Sequence, residues 1–343
     1  MPSGSKSLAA TDAPASVPGA RFERRSELPE YARLVLPRHG AWRRRWLNLL
    51  LRLTVKRNAA GGRSIPEMRA RQARMDERFG RIDPRTCRTA VECFGVRAEW
   101  IDVPETRPER VLLYLHGGAF AFRFPKIHAG MVARWCRQLG ARALMVDYRL
   151  APEHPYPAAA DDCHAAYRWL LAQGHEPHEI VIAGDSAGAN LALATLHRIK
   201  AAGELQPACA VLLAPVVDFT LSGRSLVTNA GCDAMLSLSD LVAFRALYSP
   251  PERYLDPSVS PLFGDFTGLP PLLFQTGSHE MAVDESKRAA AKAHASGVKV
   301  ELEIWHRMPH VFQAIASLPQ AAQAAEHVGR FVATYAGWRS VPA

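Results

Sequence analysis

Ile180-Val181-Ile182-Ala183-Gly184-Asp185-Ser186-Ala187-Gly188-Ala189-Asn190-Leu191-Ala192-Leu193-Ala194 decides the fold. A β-branched apolar run enters a serine pinched between glycines, and an alanine- and leucine-rich run leaves it. That order reads as strand, sharp turn, helix. Small residues at 184 and 188 let the strand and helix approach closely, and the turn between them strains Ser186 so that its Oγ stands exposed at the carboxyl end of a sheet. A Gly/Ser turn without chemistry is the simpler account of a lone pentapeptide. The flanking strand and helix patterns favour a nucleophile.

A serine hydroxyl is a weak nucleophile, so this reading requires a base, an acid to orient the base, and donors to hold a developing anion. The donors are sought upstream. Arg110-Val111-Leu112-Leu113-Tyr114-Leu115 reads as a buried strand and runs into His116-Gly117-Gly118-Ala119-Phe120. Consecutive glycines after a strand leave backbone N–H groups bare and allow an anion to come close. Gly117 and Gly118, with the N–H of Ala187, are the expected oxyanion hole.

Three segments together resemble a known family. His116-Gly117-Gly118-Ala119, the stretch Asp147-Tyr148-Arg149-Leu150-Ala151-Pro152-Glu153-His154-Pro155-Tyr156-Pro157, and Gly184-Asp185-Ser186-Ala187-Gly188 are similar in order and spacing to the hormone-sensitive-lipase-like esterases, the bacterial family IV branch of the α/β-hydrolases. The resemblance covers about residues 85–338. It implies an α/β-hydrolase fold and a serine carboxylesterase acting on short- to medium-chain esters through a Ser-His-Glu/Asp triad and an acyl-enzyme. Hydrolysis of a lactone or an acetylated natural product would use the same machinery. A non-catalytic ligand-binding homologue is the remaining alternative, and the presence of both Ser186 and a matching histidine speaks against it.

That histidine is His310. The alternating segment Val298-Lys299-Val300-Glu301-Leu302-Glu303-Ile304-Trp305 reads as a half-buried strand, and the loop after it carries His306 and His310; His310 matches the family's base, followed by a hydrophobic-aromatic pair. The acid is expected after the apolar run Leu272-Leu273-Phe274-Gln275-Thr276, where the loop offers Glu280, Asp284 and Glu285. The family commonly has an aspartate four residues before an acidic pair that opens a helix. Asp284-Glu285 resembles that pair, which leaves Glu280 in the catalytic slot, with Asp284 as the alternative. Acids in a first helical turn also answer the helix dipole. Asp147, Arg149 and Glu153 read as a buried charge network under the site, and His116 and Asp185 as supports rather than proton-transfer groups.

Strands are expected at about 91–94, 97–103, 111–116, 143–147, 180–184, 210–214, 272–276 and 298–305. Helices are expected at about 65–79, 128–139, 158–173, 187–202, 239–248, 283–295 and 319–335. Alternation of this kind gives a mostly parallel eight-stranded sheet with helices on both faces. With 343 residues, 48% of them hydrophobic, the chain can bury one large core. The expected organisation is a flexible tail at 1–20, a basic helical cap segment at 21–84, and the catalytic domain at 85–338 with a cap insertion at about 216–270. Six cysteines show neither paired nor metal-binding spacing, so they read as reduced core residues. No metal or organic cofactor is called for. Residues 1–20 lack the apolar core of a secretory signal, which gives a cytoplasmic expectation.

Charge is distributed unevenly. The chain carries +9, but residues 21–85 hold 18 Lys or Arg against 7 Asp or Glu, so the rest is slightly acidic. Within that part Trp42, Trp46, Leu49, Leu50 and Leu53 recur at helical spacing, while Arg43, Arg44, Arg45, Arg52, Lys56 and Arg57 fall mostly elsewhere. An amphipathic basic helix can cap a pocket, grip an anionic membrane surface, or serve as a nucleic-acid arm. The cap agrees best with the resemblance. The partners expected are a small-molecule ester and no nucleic acid, with a weak contact of residues 42–57 to an anionic membrane surface and a homodimer left open.

Overall fold

The computed structural model describes residues 28–36, 41–56 and 64–338. The expectations for residues 1–20 and for Arg57 lie outside the described residues. In chain order the elements are β1 Ala32–Val35, α1 Ala41–Leu51 continued by a π-helical turn Arg52–Lys56, α2 Ile65–Phe79, β2 Cys87–Cys93, β3 Val96–Asp102, β4 Val111–Leu115, α3 Pro125–Leu139, β5 Arg142–Val146 and α4 Ala158–Ala172. They continue with β6 Ile180–Asp185, α5 Ala187–Ala201, β7 Cys209–Leu213, the single turn α6 Ser225–Thr228, α7 Leu238–Tyr248, β8 Leu272–Gly277, α8 Val283–Ala295, β9 Val300–Trp305 and α9 Pro319–Tyr335.

The strands form one sheet in the order β1-β9-β8-β7-β6-β4-β5-β3-β2. β2 and β3 pair antiparallel with each other, and β3 with β5; the other neighbours run parallel. Every residue of β4, β6, β7 and β8 is buried, as strands covered on both faces require. Successive side chains point to opposite faces, so Val111, Leu113 and Leu115 join the core under α4, α5 and α8, while Leu112 and Tyr114 join the core under α3 and α9.

The sheet has nine strands among the described residues, one more than expected. β1 lies at the edge, parallel to β9 with Ala32 opposite Leu302 and Val35 opposite Trp305, and Leu302 N–H donates to Tyr31 O at 2.8 Å. Four residues interrupted by an arginine give too short an alternation to read as a strand. β9 supplies what the segment lacks, because Arg33 reaches the buried Glu303. The segment 21–84 is thus not purely a helical cap; its first described part completes the sheet.

The expected buried network at 147–153 is instead a set of separate ion pairs. Asp147 meets Arg123 and Arg97, Arg149 meets Asp162, and Glu153 meets Arg69. Asp147 is half-buried, whereas Arg149 and Glu153 are exposed. Cys93, Cys136, Cys163 and Cys209 are buried, Cys232 is half-buried and Cys87 is exposed, and none is in a disulfide.

Candidate active site

β6 runs into α5 through Ser186, whose φ of 54° and ψ of −117° lie outside the regions a serine prefers. The glycines on either side make this turn possible. A Cβ on Gly184 would sit 2.4 Å from Gly188 O, and one on Gly188 would sit 2.0 Å from Leu115 O. Ser186 N–H donates to Leu213 O at 2.8 Å, tying the elbow to β7.

His310 arrives from the loop after β9. Its Nε2 is 2.9 Å from Ser186 Oγ and its Nδ1 is 2.7 Å from Glu280 Oε2. A carboxylate only accepts, so Nδ1 carries the proton toward Glu280 and Nε2 is left to accept from the hydroxyl. Burial alone would depress the imidazole pKa, but the charge and hydrogen bond of Glu280 outweigh it, helped by Asp233 and Asp185, and the pKa is raised above its ordinary value. Glu280 is buried and its other oxygen accepts from Gly277 N–H. Val311, next to the histidine, is held at φ 48°, an uncommon conformation for a β-branched residue. The Trp305 and Phe312 rings, 5.2 Å apart, brace the loop from below.

Asp284 does not reach His310. Its Oδ2 accepts from Ser225 N–H at 2.8 Å, joining α8 to the insertion, so of the two acids the geometry brings only Glu280 to the imidazole. Two supports of the Glu280 loop carried no recognisable sequence signal. Asn229 Nδ2 donates to Ser278 O and Glu280 O at 3.1 and 2.8 Å, and Asp233 Oδ2 accepts from Met281 N–H at 2.8 Å.

The oxyanion-hole expectation needs one correction. Gly117 N–H donates to Asp185 Oδ1 at 2.8 Å, so this donor is already engaged. Gly118 (φ 127°), Ala119 (φ 53°) and Phe120 (φ 59°) then turn the chain through consecutive positive-φ positions. The N–H groups of Gly118, Ala119 and Ala187 donate to no protein group among the described residues. Ala119 was legible only as the residue after the glycine pair; which N–H groups remain available depends on Asp185.

Asp185 is a buried hub. It accepts from Tyr114 Oη at 2.5 Å as well as from Gly117, and lies 3.3 Å from His128 Nε2. Burial would raise its pKa, yet His128, Tyr114 and Gly117 together hold it at about 2. His116, fully enclosed, is pushed down to about 3 chiefly by burial, with His128 adding to the effect. Its Nδ1–H donates to Gly117 O at 2.8 Å, and its ring stacks on Tyr148 at 4.1 Å between centroids. It therefore orients its loop as a neutral imidazole.

Ser186 and His310 open on a cavity of about 660 Å³. Phe219, Leu241 and Phe244 form one wall, and Leu47, Leu51, Met68 and Met75 from α1 and α2 form another. Basic side chains fasten these helices. Arg69 donates to Ala121 O and Ala151 O and pairs with Glu153; Arg52 donates to Cys232 O at 2.6 Å; Lys56 donates to Ala230 O at 2.7 Å. Part of the anomalous positive charge is thus used to satisfy backbone carbonyls. The orientation of α1 differs from the expected one. Leu47 and Leu51 face the cavity and Leu50 lies at its mouth, but Trp42, Trp46, Leu49 and Leu53 point outward.

Residues 112–314 match the family described as alpha/beta hydrolase fold. An acetyl-hydrolase of Streptomyces hygroscopicus is 39% identical over 269 residues, covering 77% of this chain and 88% of that protein. An esterase of Acinetobacter venetianus is 41% identical over 239 residues, covering 69% and 78%. The crystal structure of an esterase from the bacterial hormone-sensitive lipase family superposes with a TM-score of 0.82 at 36% identity, covering 87% of this chain and all of the other. No helix among the described residues is long and apolar enough to cross a membrane. The elbow, the sheet order and these likenesses agree: this chain belongs to the hormone-sensitive-lipase-like, bacterial family IV branch of the α/β-hydrolases and is a carboxylic ester hydrolase.

Proposed function

We propose that the chain hydrolyses short- to medium-chain carboxylic esters with Ser186 as nucleophile, His310 as base and Glu280 as the orienting acid. The observation that carries this reading is the continuous relay Ser186 Oγ, His310, Glu280 at 2.9 and 2.7 Å on the floor of a largely apolar cavity. As Oγ bonds to the ester carbonyl carbon, His310 Nε2 takes its proton. The carbonyl oxygen becomes an anion held by the N–H groups of Gly118, Ala119 and Ala187. Collapse of this intermediate breaks the bond to the alcohol, which takes the proton from His310. Water then attacks the acyl-enzyme with the same base and releases the acid.

The cavity volume supports an acyl substrate of moderate size, since small-molecule sites span roughly 300–1,000 Å³. Acetyl esters form a second reading, favoured by the similarity to the acetyl-hydrolase. A panel of aryl esters from acetyl to dodecanoyl, with a Ser186→Ala control, separates the two. Maximal kcat/KM at butyryl to octanoyl is expected. A steep preference for acetyl would favour the second reading, and turnover unchanged in the control would remove the nucleophile assignment.

A further inference from the structure

α1 presents two opposite faces, and only one of them has a partner in the described structure. Arg44, Leu47, Asn48 and Leu51 are buried or half-buried on the inner face. The outer face of α1 carries Trp42, Trp46 and Leu49, whose spacing of four and three places them in one stripe, and Leu53 of the π-helical turn follows four residues on. All four are exposed, the two tryptophans at 64% each. Arg43 and Arg45, also exposed, follow and precede the tryptophans in sequence and so flank the stripe on its two sides. Beside the stripe, Leu50, next to Leu49 in sequence, and Phe79 are both exposed and lie on the cavity's lining. Arg78 stands over the Phe79 ring at 5.5 Å.

We infer that this outer face of α1 docks on an anionic lipid surface and sets the cavity mouth against it. Charge and continuity single out this occupant. A second copy of the chain would bring a like-charged arginine border against this one, and a nucleic acid would use the arginines and stack on the tryptophans but leave Leu49 and Leu53 without a role. A lipid surface satisfies both: anionic headgroups meet Arg43 and Arg45, while the stripe enters the boundary between headgroups and acyl chains, where such helices settle about 5–10 Å deep. Tryptophan suits that depth because its ring is apolar and its N–H stays near polar groups. The functional consequence, that esters held in a lipid phase pass from Leu50 and Phe79 to Ser186, rests on the active-site reading above. The docking itself does not.

The test uses the full chain and vesicles of phosphatidylcholine with or without phosphatidylglycerol, with binding read by co-sedimentation. The wild type should bind the anionic vesicles and lose about tenfold in affinity on going from low to high salt, because screening shortens the reach of the arginines. The variant carrying Trp42→Ser, Trp46→Ser, Leu49→Ser and Leu53→Ser should bind at least about tenfold more weakly at every salt concentration. Arg43→Glu with Arg45→Glu should abolish the salt-dependent part. Both variants should hydrolyse a water-soluble aryl ester within about twofold of the wild type. A milder pair, Trp42→Phe with Trp46→Phe, guards against failure to fold: brominated lipid should quench wild-type tryptophan fluorescence and leave that variant's fluorescence nearly unquenched. Absence of binding to anionic vesicles, equal quenching in the two proteins, or a wild-type dimer that the serine variant converts to a monomer without any vesicle binding would each overturn the inference. Because sedimentation needs no turnover, a protein that binds vesicles but hydrolyses no ester would overturn the catalytic reading and leave this one standing.

Discussion

Ser186 and His310 touch at 2.9 Å and share one proton in the proposed reaction, so their losses should not add. Ser186→Ala and His310→Ala are each expected to lower kcat by about three orders of magnitude or more, and the double variant should be no worse than the worse single one. A double variant far below both would show that the two side chains act independently. Glu280→Gln should cost far more than Asp284→Asn, because only Glu280 meets the imidazole while Asp284 holds Ser225. The reverse order in kcat would move the acid to Asp284. The pH profile has a definite sign. The base works only when neutral, and Glu280 raises its pKa over the opposing effect of burial, so kcat/KM should fall as pH drops through a value above that of an ordinary imidazole. A rate constant flat down to about pH 5 would exclude His310 as the base.

At the scale of elements, the elbow and the joint between α8 and the insertion make distinct predictions. Gly188→Ala would drive a Cβ to 2.0 Å from Leu115 O, a backbone atom that cannot swing aside, so β4 and α5 would have to separate. Loss of soluble protein, or a fall of several kcal/mol in unfolding free energy, is expected and is measurable by denaturant titration. At the start of α8, Glu285 is fully buried; its Oε2 accepts from Val217 and Asp218 N–H, and its Oε1 has no partner. Burial raises its carboxyl pKa to about 8, and Asp218 adds to that. The folded state therefore retains a proton that the unfolded chain releases near its ordinary value of about 4.3, and stability should decline as pH rises from there to about 8. Glu285→Gln, which can still accept both N–H bonds, should flatten that decline. A wild-type melting temperature that rises steadily from pH 5 to 8, with the variant parallel to it, would contradict the assignment.

For the whole molecule, the first described strand matters more than its length suggests. Arg33 closes the sheet edge by pairing with Glu303, which also meets His327, Gln275 and Trp305, and Gln275 in turn meets Gln313 three residues after His310. Arg33→Ala removes the arginine partner of a buried carboxylate. Because Arg33 is itself half exposed, the loss is expected at about 1–2 kcal/mol, below that of a fully buried pair. Unfolding by urea measures it, and a change under about 0.3 kcal/mol would mean that β1 is held by its backbone bonds alone.

The sequence by itself determined the parts whose cause is local. Eight strands, the main helices and the elbow at Ser186 follow from apolar periodicity and glycine placement, because backbone geometry and burial act on neighbouring residues, and the family resemblance pointed to His310 as the proposed base. Tertiary structure decided what depends on partners distant in the chain. Ala32–Val35 became a strand only because β9 offered an open edge and Glu303 a buried charge. Gly117 N–H is engaged, and the N–H groups of Gly118 and Ala119 are left available, only because Asp185 lies across from Gly117. The periodicity of α1 showed an apolar stripe, but not which way it faces. That was set by the carbonyls of Ala230 and Cys232 receiving Lys56 and Arg52, which hold the helix with its tryptophans toward solvent.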